Sequence, residues 1–204
     1  MSAIKRSSNK EHWDKFWESA DRVEEVYSNE GRVSRELSSV LDISGKLILE
    51  VGAGTGRDGI MLSRVGGKVV SLDYSSESLR LIRDGLGQED NVYPCCADAF
   101  TLPFPDETFD VVFHQGLLEH FRNPDDLIAE NVRVLKTGGL LLVDVPQKFH
   151  YYTLIKHALI FLNKWFAGWE CEYSISELEA MLRRHSLEIV RSYGDWFNPP
   201  IWYR

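Results

Sequence analysis

The sequence predicts an α/β fold organised around a doubly wound, mostly parallel β-sheet. Short apolar runs recur at 47–51, 69–72, 92–95, 109–113, 140–145 and 187–190, with helical spacing of apolar residues between them. Runs that are apolar throughout fit strands covered on both faces, as crossover helices require. The first run, Leu47-Ile48-Leu49-Glu50-Val51, passes straight into glycines at alternate positions, Gly52, Gly54 and Gly56. That pattern is a buried strand turning sharply into a helix, through backbone angles and a close main-chain approach that a Cβ would obstruct. The free N–H groups at the start of the following helix then face whatever lies in the turn.

Taken in order, residues 1–10 are polar and expected to fray. Trp13, Phe16 and Trp17 then share one helical face amid Glu11, Asp14, Lys15 and Glu18. A second helix over 29–41 carries Val33, Leu37, Val40 and Leu41 at helical spacing before Gly45. Ser75 is placed to cap the helix running through Ile82, and Asn123-Pro124-Asp125-Asp126 offers a cap, a first-turn proline and two acids before 127–135. Lys136-Thr137-Gly138-Gly139 reads as the turn into the fifth strand. Ser176-x-x-Glu179 has the capping-box pattern for a helix through Arg184. The organisation expected is one domain, with a helical cap over 1–45, a core over 46–145, an insertion over 146–175, and a last helix, sixth strand and irregular tail over 176–204.

A chain of 204 residues with 44% hydrophobic and 26% charged residues has ordinary globular composition. Its net charge of -8 disfavours nucleic acid as a partner, because phosphate-backbone affinity needs clustered Lys and Arg. Cys95, Cys96 and Cys171 have neither the count of a disulfide framework nor metal-site spacing, so buried thiols and no metal are expected. No apolar run approaches the length of a membrane span and the N-terminus lacks an apolar signal core, which predicts a cytoplasmic protein.

Two ligands compete for the glycine turn. Gly54-Thr55-Gly56-Arg57-Asp58-Gly59 formally fits the dinucleotide pattern G-x-G-x-x-G, but that pattern should begin where the strand ends, at Val51. Counted from there, Gly52 is first and Arg57 occupies the third-glycine position, which weakens a nicotinamide or flavin reading. Glu50, Gly52, Gly54 and Gly56 instead meet E-x-G-x-G-x-G in full, and on these residues the chain resembles the class I S-adenosylmethionine (SAM)-dependent methyltransferases over most of 46–193. The resemblance implies a Rossmann-like sheet that binds SAM and releases S-adenosylhomocysteine (SAH). It implies Glu50, Gly52, Ala53, Gly54 and Gly56 at the cofactor turn, Asp73 and Tyr74 at the ribose, Asp98 and Ala99 at the adenine, and His114 or Gln115 at the mouth of the fourth strand. Asp73 also stands out unaided, following 69–72 about twenty residues beyond the glycine turn, where an acid accepts from ribose hydroxyls.

A sulfonium methyl is already activated, so transfer needs mainly a nucleophile held in line, and orientation alone contributes roughly 7–11 kcal/mol in well-positioned systems. No catalytic dyad is demanded. Should the acceptor need a base, the candidates are His114, His120, His150 and Tyr151. Acceptor binding falls to the N-terminal helices and 146–175. Pro146 to Gly168 contains no acid, yet holds Lys148, Lys156, Lys164, His150 and His157. Leu154, Ile155, Ala158, Leu159, Phe161, Leu162, Trp165 and Phe166 add an apolar stripe. A lid over a hydrophobic acceptor, peripheral membrane contact through 151–166, a dimer interface, and a helix packed on the core with its lysines in water all fit. The family's sheet ends in an antiparallel seventh strand, whereas 194–204, with two prolines and four aromatics, makes a poor strand, so that strand is expected to be missing. Oligomeric state stays open. Two other classes stay open too: an inactive binding or scaffold subunit on the same fold, and an NAD(P)-dependent oxidoreductase.

Overall fold

Strands β1 (Leu47–Val51), β2 (Lys68–Asp73), β3 (Val92–Cys96), β4 (Phe109–Gln115) and β5 (Leu135–Asp144) form one parallel sheet in the order β3-β2-β1-β4-β5. This computed structural model describes residues 10–18, 31–162 and 170–194, excepting the side chains of Tyr151 and Tyr152. The fraying expected of 1–9, the missing seventh strand in the tail, and Lys164, Trp165 and Phe166 fall outside the described residues. Helices α1 (Lys10–Trp17), α2 (Arg32–Val40), α3 (Arg57–Arg64), α4 (Ser76–Gly85), α5 (Asp125–Val134), α6 (Tyr151–Phe161) and α7 (Ile175–Arg184) complete the described elements.

The period of two along each strand sorts the core into two layers. On one face Ile48, Val69, Val111 and Phe113 pack with Val33 and Leu37 of α2, Ile60 and Leu62 of α3, and Leu79 and Ile82 of α4. On the other, Leu49, Val51, Leu72 and Val112 pack with Leu118, with Leu127, Ile128 and Val134 of α5, and with Met181 of α7. Helices on both faces make the sheet doubly wound, as expected, and burial of Phe109, Phe113 and Ile48 contributes on the order of 1.5–3 kcal/mol per side chain. Sequential strands β1, β2 and β3 run outward one way and β4 and β5 the other. The chain therefore reverses direction between β1 and β4, and a crevice opens beyond their carboxyl ends.

Several local expectations change. Ser75 caps α4, accepting from the Ser78 N–H at 3.4 Å. Asn123 does not cap α5, because Pro124 holds the cap position and makes no side-chain cap bond. The capping box is formed by Ser174 and Glu177, two residues before the frame read from the sequence, with the Glu177 carboxylate accepting from the Ser174 N–H at 2.9 Å. The stretch read as a turn before the fifth strand lies inside β5. It is absorbed by a register shift between Phe109 and Val111 and by Gly138 at a φ of 76°.

The sixth strand is not formed. Leu187 and Ile189 are half-buried and Glu188 and Val190 exposed, so the alternation is present, but the backbone joins no ladder. Side chains tether this segment instead: Arg191 pairs with Glu36 at 3.2 Å, Ser192 donates to Glu179 at 2.6 Å and Tyr193 to Asp144 at 2.7 Å. β5 is consequently the edge of the described sheet.

The two possible capping frames make opposite stability forecasts. Ser174→Ala is expected to lose about 1 kcal/mol in urea denaturation, whereas Ser176→Ala should stay within about 0.5 kcal/mol of wild type. The reverse ranking would restore the frame read from the sequence.

Candidate functional site

The crevice opens into a cavity of about 1070 Å³. Its floor comes from strand ends: Gly52 after β1, Asp73 and Tyr74 at the end of β2, Ala97 to Phe100 after β3, Gln115 to Phe121 after β4, and Asp144 to Gln147 after β5. Trp13, Phe16 and Trp17 of α1 wall it on one side. The cavity also follows Leu140 to Val143 along the unpaired edge of β5 toward 187–194, so it is larger than a cofactor crevice alone.

The three glycines of the turn share left-handed backbone angles, with φ of 68°, 56° and 66° at Gly52, Gly54 and Gly56. Their tasks differ. A Cβ on Gly52 would fall 2.8 Å from Leu117 Cδ1, and this glycine lines the cavity. Gly54 donates its N–H to Asp73 Oδ2 at 2.8 Å, and its carbonyl accepts from Ser78 Oγ at 2.5 Å. Gly56 is the N-cap of α3, where a Cβ would meet Ile82 at 2.9 Å. Gly59, which completes the formal dinucleotide pattern, serves packing: a Cβ there would collide with Glu50 Oε2 and sit 2.7 Å from Ser71 Oγ.

Glu50 lies beneath the turn, accepting from Ser71 Oγ at 2.6 Å, and burial pushes its carboxyl up to about 8. Ala53 donates its N–H to the Leu72 carbonyl at 2.9 Å. Glu50, Ala53, Gly54 and Gly56 thus support the turn from outside the cavity lining, and Gly52 represents it at the surface. Asp73 accepts from Gly54 on one carboxylate oxygen and from the Ser75 N–H at 2.8 Å on the other. Burial raises its carboxyl above the ordinary range, partly offset by these N–H donors.

Tyr74, Asp98 and Ala99 line the cavity, with Asp98 exposed and one of its oxygens accepting from the Phe100 N–H at 2.9 Å. Gln115 lines it too. With its amide oriented to satisfy its neighbours, it donates to Asp58 Oδ2 at 3.1 Å and accepts from Arg32 Nη2 at 2.9 Å. His114 does not line the cavity. It follows Val112 onto the α5 face, is fully buried with both ring nitrogens unpartnered among the described residues, and burial lowers it to about 4. One step of strand parity separates it from Gln115 and removes it from the candidate bases. His120 and His150 do line the cavity, and His120 meets Trp13 edge-on at 4.9 Å between ring centroids. The Tyr151 side chain lies outside the described residues.

Sequence reasoning missed Arg32, Asp144 and Tyr193. Arg32 grips Asp144 at the end of β5, with Nη2 to Oδ1 and Nε to Oδ2 both at 2.8 Å, and Tyr193 donates to the same carboxylate. Arg32 and Asp144 are 112 residues apart and belong to no motif, so the one available signal was an acid at a strand's carboxyl end.

Helix α6 is turned over relative to the expectation of a core helix with lysines in water. Lys156 is 3% exposed, held by Glu170 at 2.8 Å and Glu172 at 2.6 Å, while Leu154 and Phe161 are 74% and 79% exposed. A buried ammonium needs carboxylate partners, and they come from the segment just beyond the acid-free stretch. Lys148 pairs with Glu177, and His157 with Glu172 at 3.0 Å. The positive charge that suggested attraction to an anionic surface is thereby neutralised internally at these described positions. Among the described residues no helix is long and apolar enough to cross a membrane, and no cluster of His, Cys, Asp or Glu has the arrangement of a metal site.

Glu50 gives the turn a pH signature. Its carboxyl sits near 8 in the folded protein against 4.5 ordinarily, so folding takes up a proton in between. Its stabilising share is complete below the unfolded value and is lost as pH rises through about 8. Urea denaturation across that window should show a steeper loss for wild type than for Glu50→Gln, which keeps an acceptor for Ser71 but cannot ionise. Parallel pH profiles would show that Glu50 titrates normally.

A family described as a methyltransferase domain matches residues 49–143, from within β1 almost to the end of β5. The demethylmenaquinone methyltransferase of Thermobifida fusca is 37% identical over 102 residues, covering 49% of this chain and 43% of that protein. The ubiquinone/menaquinone biosynthesis C-methyltransferase UbiE of Stutzerimonas stutzeri is 42% identical over 105 residues, covering 48% and 41%. The chain thus spans less than half the length of these curated relatives. Magnesium protoporphyrin IX methyltransferase from Synechocystis, solved with bound SAH, superposes with a TM-score of 0.71 over 89% of both chains at 16% identity, which supports the fold alone. The matching domain, the curated relatives and the sheet order agree in likening residues 49–143 of this chain to the class I SAM-dependent methyltransferases.

Proposed function

We propose that the chain binds SAM in the crevice and methylates a small, largely apolar acceptor in the adjoining part of the cavity. The observation that carries this reading is Gly52, a left-handed glycine in the cavity wall with the Asp73 carboxylate beside the same turn. The residues present suit the cofactor. Gly52 leaves the main chain uncovered, Asp73 offers carboxylate oxygens for ribose hydroxyls, and Tyr74, Asp98, Ala99 and Gln115 would hold the rest. When bound, SAM supplies an activated methyl on a positively charged sulfur.

The protein's own residues then have three tasks. Trp13, Phe16 and Trp17 exclude water and give an apolar acceptor a surface to lie on. Strand ends fixed by the sheet hold the partners at constant orientation, from which most of the rate advantage of such a transfer derives. His120 and His150 stand in the wall as groups able to take a proton from an acceptor that must lose one. Relatives named for methylating demethylmenaquinone and for ubiquinone/menaquinone C-methylation support a small-molecule acceptor. An NAD(P)-dependent reading is disfavoured by the glycine register, since β1 ends at Val51, Gly52 comes first after it and Arg57 stands where the third glycine of that pattern belongs.

Calorimetric titration of SAM, SAH and NADH separates these readings. SAM and SAH are expected to bind and NADH not to. Gly52→Ala should abolish SAM binding, and Asp73→Ala should weaken it roughly tenfold or more, both with melting curves that confirm a folded protein. Labelled SAM offered with apolar hydroxylated acceptors should then yield methylated product. Undiminished SAM affinity in Gly52→Ala would move the cofactor away from this turn, and SAM binding without turnover on any acceptor would favour the scaffold reading.

A further inference from the structure

Three cationic side chains stand in the cavity wall among the described residues, and two of them are committed elsewhere. Lys156 lies between Glu170 and Glu172, and Arg191 is held by Glu36 and Ser39. Arg32, the first residue of α2, differs. Its Nε and Nη2 face Asp144, and Nη2 also donates to the Gln115 amide oxygen at 2.9 Å. Nη1 has no hydrogen bond or ion pair among the described residues and, unlike Nε, is not sealed from its surroundings. A planar guanidinium clamped along one edge presents its remaining donors in a fixed direction, ready for a carboxylate.

The sheet order places this free edge relative to the rest of the crevice. Asp73, Tyr74, Asp98 and Ala99, the groups suited to a nucleoside, stand at the ends of β2 and β3. Gly52 follows β1, and Gln115 closes β4 on the far side of it, with the Gly116 N–H donating to the Asp144 carbonyl at 3.0 Å. Neighbouring strands lie about 4.8 Å apart, so β4 is about 10 Å across the crevice from β2. A ribose and the amino-acid chain on its 5′ carbon span that distance together. The surroundings there are otherwise acidic, with Asp144 and Asp58 both within reach of the same Arg32–Gln115 pair, so a carboxylate arriving without a cation would be repelled.

We propose that Arg32 binds the carboxylate at the amino-acid end of the cofactor through its free Nη1 edge. The inference rests on the SAM reading of the crevice and assigns the anionic part of the ligand, which the glycine turn and Asp73 do not serve. Arg32 lies outside residues 49–143, so the matching domain does not designate it. The site is thereby selective against adenosyl thioethers that lack the carboxylate.

The test is a calorimetric titration with SAH and with its decarboxylated analogue S-adenosyl-3-thiopropylamine, which keeps the nucleoside, sulfur and amine. Wild type is expected to prefer SAH by roughly tenfold or more, the scale of one charge-assisted hydrogen bond. Arg32→Met should bind the analogue as wild type does and lose the preference. Should Arg32→Met fail to fold, Arg32→Lys decides, because it keeps a charge for Asp144 without the fork and should show a clearly reduced preference. Equal affinity of wild type for the two ligands, or a full preference surviving in the folded variant, would overturn the inference and leave the cofactor reading standing. Binding of neither ligand to wild type would overturn the cofactor reading itself, and this inference with it.

Discussion

The Asp73 carboxylate is the contact on which the crevice depends. At the end of β2 it accepts from the Gly54 N–H on one oxygen and from the Ser75 N–H on the other, both at 2.8 Å. One buried side chain thereby locks the glycine turn after β1 to the start of α4 after β2. Hydrogen bonds to a charged group contribute about 1.5–3 kcal/mol each when well formed, enough to hold three alternate left-handed glycines, Gly52, Gly54 and Gly56, in one conformation. The tie continues outward, because Ser75 Oγ donates to Asp14 of α1 at 2.6 Å. The helix carrying Trp13, Phe16 and Trp17 is thus fastened to the same strand end that shapes the floor.

A second set of constraints governs the far side of the cavity. Arg32 and Tyr193 converge on Asp144, and Lys156 lies between Glu170 and Glu172. Both arrangements bury charge, which is weakly stabilising at best compared with apolar packing. Their consequence is positional. Asp144 fixes α2 and the 187–194 segment against the edge strand without a sixth strand between them. Lys156 turns α6 so that Thr153 and Lys156 face the protein while Leu154, Phe161 and Leu162 face outward. The cavity wall along β5 is therefore fixed by paired polar groups, and the strand-end floor by the glycine turn and its backbone hydrogen bonds.

Much of this was legible in the sequence because it depends on local pattern. The five described strands announce themselves as apolar runs, the glycine turn by spacing, and Asp73 by its distance from that turn. What stayed hidden depends on parity or on distant partners. His114 and Gln115 are adjacent in an uninterrupted strand, and choosing which one faces the crevice needs the sheet itself. Ser174 with Glu177 and Ser176 with Glu179 satisfy the same capping pattern two residues apart, so the pattern alone does not choose between them. Residues 187–190 alternate like a strand, yet alternation describes side chains and says nothing of whether a ladder forms. Lys156 reads as an exposed lysine until Glu170 and Glu172 fold back onto it.

On the proposed reading, SAM lies against the strand ends organised by Asp73 rather than in the wider space along β5. Amide NMR of isotope-labelled protein during an SAH titration reads that location directly. The largest shifts are predicted at Gly52, Tyr74 and Ala99, with little change along Leu187 to Tyr193. Shifts concentrated beside 187–193 with a silent glycine turn would contradict it.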